Sequence, residues 1–363
     1  MEVNRTVQKR AIVIHSPHSS RAQQLAHALT LLQQVGIEIA QVTAINELDD
    51  LPPQGALWQE SGIDIAVAAG GDGLVGGVIN HVMESSLPVG ILPLGTANDI
   101  ARSLHIPLDL YRAANVIASG QVQEVDIGVA RPAEQAPHLA SPKQSGPVLE
   151  QVPTQKQAFF AHALTVGLNV QFARIATNVA TRQRYGRMTY PFAALEVLRN
   201  HQALDVDLHF EGLSLPQQLI PTPRTEEELT TLRCRALQVA VINAPIFGGQ
   251  WQLAIPGASV RDQLLDIVVI QDIEFAKLSA IITHFFNTQE QSSAPGSNGQ
   301  ENYFTRHPAE LSGIPGIHHL RAHGVTIMTN ADPRDATLDG EVRGQTPMHV
   351  HMAERRLQVV VPA

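Results

Sequence analysis

Short apolar runs alternate with amphipathic segments over about the first 130 residues of the chain. Apolar runs indicate buried strands, and apolar positions that recur every three or four residues indicate helices. The pattern predicts strands at 11–14, 37–42, 63–69, 89–92 and 122–130, and helices at 21–35, 97–104, 108–119 and over a stretch ending at 83. Strands that alternate with helices form a parallel sheet covered on both faces, so we expect a doubly wound α/β domain here.

Beyond residue 125 the pattern changes to strands with few helices between them. Strand-like segments occur at 125–129, 159–166, 206–210, 237–242, 264–270, 325–328 and 357–361, and helical patterns at 171–200 and 274–287. This succession predicts a mainly antiparallel β-rich domain. The polar, Pro-rich or Gln-rich stretches 132–157, 214–231 and 288–316 are expected to be loop insertions.

The two patterns predict two domains, in agreement with a length of 363 residues. The fold class is therefore an N-terminal doubly wound α/β nucleotide-binding domain, residues 1–125, followed by a mainly antiparallel β-rich domain, residues 126–350. The last segment, 351–363, contains a strand pattern that could return to the first domain.

Composition narrows the class of protein. Lys and Arg number 25 and Asp and Glu 34, so the formal charge is 25 − 34 = −9, which argues against a nucleic-acid partner. The single cysteine, Cys234, excludes an internal disulfide. No apolar run reaches the roughly 18 residues of a membrane span, and the N-terminal segment does not resemble a signal peptide. We therefore expect a soluble, cytoplasmic protein without a transmembrane segment.

A glycine-rich turn, Gly-Gly-Asp-Gly at residues 70–73, stands between a predicted buried strand and a helix. Glycines here allow backbone N–H groups to approach a phosphate, and the helix N-terminus adds a favourable dipole. A carboxylate such as Asp72 would repel phosphate unless a divalent cation or a hydroxyl lay between them, which favours phosphoryl transfer over passive dinucleotide binding. A tight strand-to-helix turn without a ligand is the alternative interpretation.

Two further motifs follow. Residues 93–99, Pro-Leu-Gly-Thr-Ala-Asn-Asp, again join a strand to a helix, which Thr96 or Asn98 could cap. Glycine turns at adjacent strand ends face one crevice, where α/β sheets bind ligands. Residues 338–341, Leu-Asp-Gly-Glu, could simply be a hairpin turn.

Together the three motifs resemble the diacylglycerol kinase catalytic domain of the diacylglycerol and sphingosine lipid kinases, in its bacterial soluble form. The resemblance covers nearly the whole chain, and it implies an ATP- and Mg²⁺-dependent kinase that phosphorylates a lipid hydroxyl, most simply that of diacylglycerol. Its partners would be a lipid met transiently at the membrane surface and, as one option, a second copy of the chain in a homodimer.

The resemblance also implies roles for individual residues. Glu341 would be the catalytic base, with Asp339 and Asp72 as further catalytic carboxylates. The nucleotide would be held by residues of the two glycine turns and of the second strand, namely Thr43, Gly70, Gly71, Asp72, Gly73, Leu74, Gly95, Thr96 and Asn98. A structural Mg²⁺ would be held by Asp262 and the main-chain carbonyls of Ser259 and Leu264; a solvated turn is the alternative for that loop.

The chain departs from the family pattern in three places. Residues 16–20 read Ser-Pro-His-Ser-Ser where Asn-Pro-x-Ser-Gly is usual, and Gly77 stands where the family carries a nucleotide-contacting carboxylate. Gln263 replaces the glycine of an Asp-Gly pair. Two alternatives therefore stay open: a kinase of a soluble substrate, as in NAD kinases, and a catalytically weak lipid-binding or regulatory relative. His349 with His351 as a zinc pair, and an anion-binding arginine face at 174–187, are weaker possibilities.

Overall fold

The computed structural model describes residues 8–133, 157–170, 203–214, 230–247, 253–272 and 316–363, apart from residues 18, 20, 169, 256 and 331. The predicted helices at 171–200 and 274–287, the arginine face at 174–187 and nearly all of the three predicted loop insertions lie outside these residues. Within them, no helix is both long enough and apolar enough to cross a membrane.

The first sheet is parallel except at one edge. Its strands are β1 (Arg10–His15), β2 (Glu38–Ala44), β3 (Ile65–Gly70), β4 (Val89–Pro93), β5 (Gln121–Val125) and the last strand of the chain, β19 (Leu357–Val361), in the order β2-β1-β3-β4-β19-β5. The helices are α1 (Leu25–Gln34), α2 (Gly55–Glu60), α3 (Asp72–Val82), α4 (Asp99–Ser103) and α5 (Leu110–Ser119). All residues of β3 and β4 are buried, as expected of central strands between helices.

The second sheet is antiparallel. It contains β6 (Gly128–Pro132), β7 (Ala158–Phe160), β8 (Ala163–Gly167), β9 (Leu204–Glu211), β10 (Thr231–Ile242), β13 (Leu265–Gln271), β14 (Ile317–Ala322), β15 (Gly324–Thr329), β16 (Asp335–Leu338), β17 (Glu341–Gln345) and β18 (Met348–Met352). The short strands β11 (Ile246–Phe247) and β12 (Leu253–Ala254) pair separately. The apolar side chains of this sheet form a second core, distinct from that of the first domain. The predicted fold class is confirmed.

Two predicted strands are wrong because each is interrupted by a buried polar turn. The segment predicted as one strand at 122–130 is divided at Asp126, where the chain passes from the first sheet to the second. The segment predicted at 159–166 is divided at Ala161 and His162, whose N–H groups bond to the Asp339 carboxylate instead of to a neighbouring strand. An apolar run shows burial but not where strand pairing is interrupted.

Two connections between the sheets run side by side. The return to the first sheet ends in β19, which pairs in parallel with β4 through Val359 and Val89. The Ala353 N–H donates to the Ile127 carbonyl at 2.8 Å, and the Arg356 Nε lies 2.7 Å from the fully buried Asp126 carboxylate. These contacts lie at the edge where β4 begins, opposite the edge where β3 and β4 end.

Candidate functional site

Two glycine turns touch each other where β3 and β4 end. Gly70 is the register partner of Pro93, and the Leu94 N–H donates to the Gly70 carbonyl at 2.9 Å. A Cβ on Gly71 would lie 3.0 Å from the Gly95 Cα, and a Cβ on Gly95 would lie 2.4 Å from the Gly71 Cα. Glycine is therefore required at these two positions by contact between the turns themselves, a reason that the sequence analysis did not identify.

Two polar side chains hold the turns in shape. The Asp72 Oδ1 accepts a hydrogen bond from the Ile100 N–H at 2.9 Å. Asp72, at the start of α3, thus satisfies an N–H group in the first turn of α4. Asn98 has a left-handed φ of 53°, and its side chain bonds both the N–H and the carbonyl of Gly95 at 2.9 Å. The expectation that Asn98 caps α4 is wrong, since that side chain closes the turn instead. Thr96 is exposed beside it.

The residues assigned to the nucleotide lie along one edge of the first sheet. Thr43 is in register with Ile14 of β1 near the carboxyl end of β2, is 5 % exposed, and accepts a hydrogen bond from the Gln41 amide at 2.7 Å. Gly71 is the N-cap residue of α3. Because glycine has no side chain, it makes no side-chain bond to the N–H groups of the first turn. The first N–H groups of a helix have no partner within it, so this end of α3 can accept an anion.

The β16–β17 hairpin lies on a glycine-lined face of α3. A Cβ on Gly73 would lie 2.6 Å from the Glu341 Oε1, and a Cβ on Gly76 would lie 2.6 Å from the Asp339 Oδ2. Since these glycines are three residues apart, they share one face of the helix. The hairpin therefore brings a carboxylate from the second domain to the glycine turn of the first.

Arg343 lies beside Glu341 on this face. Its Nε donates to the Glu341 Oε2 at 2.9 Å, and its Nη2 is paired with the same oxygen. The nearest neighbours of a Cβ on Gly77 would be Ile45 and then the Arg343 Nη2, at 3.1 and 3.7 Å. The absence of a carboxylate at Gly77 thus accompanies close packing of α3 against the hairpin and against Ile45.

Asp339 holds the hairpin in place. Its carboxylate is 6 % exposed and accepts the N–H groups of Ala161, His162 and Ala163 at 2.8–3.1 Å. Burial raises the pKa of Asp339 to about 6, although nearby His162 and the N–H bonds oppose the shift. Asp339 and Gly340 have φ of 49° and 87°, as expected of an Asp-Gly hairpin turn. This geometry supports a positioning role for Asp339 beneath Glu341.

We expect the stability of the fold to depend on the protonation of Asp339. Because its pKa is higher in the folded than in the unfolded chain, the folded state gains stability as the pH falls through about 6 towards 4, and loses it in the reverse direction. Urea unfolding from pH 7 to pH 4 should show wild type gaining up to about 3 kcal/mol relative to Asp339→Asn, which cannot titrate. A difference that stays constant with pH would contradict this assignment.

Two side chains near the site carry no sequence signal and were missed. The His162 Nε2 lies 3.0 Å from the Ile246 carbonyl and 3.7 Å from the Asp99 Oδ2. His162 of the second domain thus contacts α4, which contains Asp99. The Arg21 guanidinium donates to the carbonyls of Pro93 and Gly95 at 2.8 and 3.2 Å. Neither belongs to a recognisable motif, because their neighbours are distant in sequence.

The residues assigned to a structural Mg²⁺ lie elsewhere. Their loop, 257–264, contacts the junction at Asp126, whose N–H donates to the Val260 carbonyl at 2.8 Å. The Asp262 Oδ1 accepts the Leu264 N–H at 3.1 Å, and its Oδ2 is paired with the Arg321 guanidinium. Mg²⁺ requires oxygen ligands in near-octahedral geometry, and a guanidinium beside them repels it. These residues do not fit the ion.

Among the described residues, the other histidine and carboxylate side chains do not form a metal site. Within the part of the chain that the structure describes, no three His, Cys, Asp or Glu side chains are grouped to hold a metal. The rings of His349 and His351 lie 5.0 Å apart, and burial lowers the pKa of both. The Thr326 hydroxyl, 3.1 Å from the His349 Nδ1, occupies one of these ring nitrogens.

Comparison with known proteins bears on both domains. Residues 10–130 match the model of the diacylglycerol kinase catalytic domain, and residues 163–290 match the YegS C-terminal NAD kinase beta sandwich-like domain. A protein of Staphylococcus saprophyticus named diacylglycerol kinase is 22% identical over 361 residues, covering 98% of this chain and 96% of its own. A protein of the same name from Staphylococcus aureus is 23% identical, covering 98% and 93%.

Solved structures show the same fold. Two from Bacillus anthracis str. Sterne are each 18% identical to this chain. The first aligns with a TM-score of 0.63 over 99% of this chain and 98% of its own. The second, described as a diacylglycerol kinase, aligns with a TM-score of 0.61 over 98% and 97%.

Proposed function

Because this chain belongs to the family defined by the diacylglycerol kinase catalytic domain, here at residues 10–130, we propose that it is a lipid kinase. It transfers the γ-phosphoryl group of MgATP to a lipid hydroxyl, most simply converting diacylglycerol to phosphatidic acid. The observation that carries this proposal is the position of Glu341, whose carboxylate lies against Gly73 at the start of α3.

The phosphates of ATP are bound where the two glycine turns meet. The N-terminal N–H groups of α3 and its positive dipole end face this edge, and the exposed Thr96 hydroxyl is available beside it. Thr43 borders the same edge. Asp72 bonds the first turn to α4 and Asn98 closes the second turn, and these bonds keep the groups in place before the nucleotide arrives.

Glu341 acts as the general base. Its carboxylate takes the proton of the lipid hydroxyl while the hydroxyl oxygen bonds to the γ-phosphorus, and the bond from that phosphorus to the bridging oxygen breaks to release ADP. Arg343 pairs with the Glu341 Oε2 and so orients the Oε1 towards Gly73. Asp339 fixes the hairpin that carries both residues. Positioning and electrostatics thus supply most of the catalysis.

Two alternatives make different predictions. The resemblance of residues 163–290 to an NAD kinase-like β-sandwich favours a soluble acceptor as the second candidate. A weak regulatory relative would bind lipid without turnover. The lipid kinase would visit the membrane surface reversibly from the cytoplasm.

An assay of phosphate transfer separates these candidates. With radiolabelled ATP and Mg²⁺, we expect label in the lipid fraction only when phosphatidylcholine vesicles contain diacylglycerol. If Glu341 is the general base, this signal should fall in the Glu341→Gln variant. Label in NAD but not in lipid would support the soluble-substrate kinase. Vesicle binding without labelled product would support the regulatory relative. Either of these two results would overturn the proposal.

A further inference from the structure

Arg321 lies between two carboxylates at the loop to which the resemblance assigns a structural Mg²⁺. It is paired with the Asp262 Oδ2, and its Nε lies 3.3 Å from the Asp266 Oδ1. Arg321 of β14 stands directly opposite Asp266 of β13 in the sheet register. The guanidinium therefore bridges the end of the loop and the beginning of β13, the strand that follows it.

The Asp266 carboxylate needs a cation. Its side chain is fully buried, and its Oδ2 has no hydrogen-bond partner among the described residues. The Oδ1 is 2.7 Å from the His319 Nε2. A buried carboxylate without a positive neighbour is strongly disfavoured, and Arg321, whose guanidinium is always charged, lies beside both Asp266 and Asp262.

The other side of the loop contacts the junction between the sheets. The Gln263 N–H donates to the Asp126 Oδ2 at 2.7 Å, and its side-chain amide is bonded to the other oxygen of that carboxylate. Gln263 has a φ of 58°, a conformation that favours glycine, and its side-chain bond compensates the departure from the family's Asp-Gly. Protein groups thus connect the loop to the junction at Asp126 and to β14.

We propose that the Arg321 guanidinium replaces the structural Mg²⁺ in this chain. It pairs with both Asp262 and Asp266 and fastens the 257–264 loop to β14, so this fold requires no divalent cation at the loop. The proposal concerns stability without nucleotide and does not depend on the chain being a kinase.

Thermal unfolding without nucleotide tests it. The melting temperature of wild type should differ by less than about 1 °C between excess EDTA and millimolar Mg²⁺. In EDTA, Arg321→Ala should melt about 5–10 °C lower, because two carboxylates lose their cation, and Mg²⁺ should restore part of this loss. Arg235→Ala is the matched control: Arg235 pairs with Asp272 at 3.2 Å but is 66% exposed, so we expect little change and no Mg²⁺ effect.

Two results would overturn the proposal. The first is a wild type that gains several degrees from Mg²⁺ alone, because a cation site would then coexist with Arg321. The second is an Arg321→Ala variant as stable as wild type in EDTA. If Arg321→Ala does not fold, Arg321→Lys decides: it keeps the charge and should fold without Mg²⁺, and a requirement for Mg²⁺ in that variant counts against the proposal.

Discussion

Replacing Glu341 by Gln should lower turnover by about 10²–10⁴-fold, the usual contribution of a positioned general base. Gln keeps the shape of the side chain that lies against Gly73 but cannot take the hydroxyl proton. Glu341 is half-exposed and contributes little to the core, so ATP affinity should stay within a few-fold of wild type. Steady-state kinetics with diacylglycerol vesicles and calorimetric titration with ATP measure the two effects separately.

The matched control is Glu354→Gln, which makes the same chemical change at an exposed site between β18 and β19. It should leave turnover unchanged. Near-normal turnover in Glu341→Gln would show that Glu341 is not the base, and Asp72 would then be the carboxylate to replace next. Unfolding of Glu341→Gln at the assay temperature is checked by its melting curve.

Gly76→Ala should destabilise the fold by at least about 2 kcal/mol. The added methyl would lie 2.6 Å from the Asp339 Oδ2, and this carboxylate cannot move because backbone N–H groups hold it. If α3 and the hairpin moved apart, the backbone N–H groups bonded to Asp339 would lose their acceptor. This loss of stability is larger than the gain of about 1 kcal/mol that alanine brings to a helix relative to glycine. Urea unfolding monitored by circular dichroism measures the difference.

Two neighbouring glycines provide the contrast. Gly73→Ala meets the half-exposed Glu341 carboxylate, which can rotate away, so the protein should fold but lose about 10²-fold in turnover through a displaced base. Gly77→Ala meets the end of the flexible Ile45 side chain, with the Arg343 Nη2 at an ordinary contact distance of 3.7 Å, and should change stability by less than about 1 kcal/mol. Equal destabilisation in all three variants would show that the hairpin contact is not specific.

Much of the fold follows from local patterns. The centre of β1 and the whole of β3 and β4 lack polar side chains, and such runs are buried in any fold that accommodates them. The glycine turns after β3 and β4 were predicted to share a crevice because adjacent parallel strands end at one edge, and the two turns do touch there. Strand ends were harder: the break at Asp126 depends on contacts with Arg356 and Gln263, which are far away in sequence.

The candidate site shows the same division at the level of single residues. The three motifs identified Gly73, Asp339 and Glu341, but not that they face one another across the two domains. By motif alone Gly77 is a missing carboxylate, whereas in the fold α3 is closely packed against Ile45 there. The position of Asp72 in its motif predicts a carboxylate at the phosphate site. In the fold, one of its oxygens instead accepts the Ile100 N–H and so joins α3 to α4.

The sequence by itself determined the class of each domain, the order of the strands along the chain and the motifs that resemble a lipid kinase, because periodicity and turn chemistry act over a few residues. Only the tertiary structure decided which glycines make room for backbone and which for a carboxylate, and that Asp262 pairs with Arg321. These are contacts between residues far apart in the chain. Their geometry depends on how two sheets are joined at one junction, which no local pattern encodes.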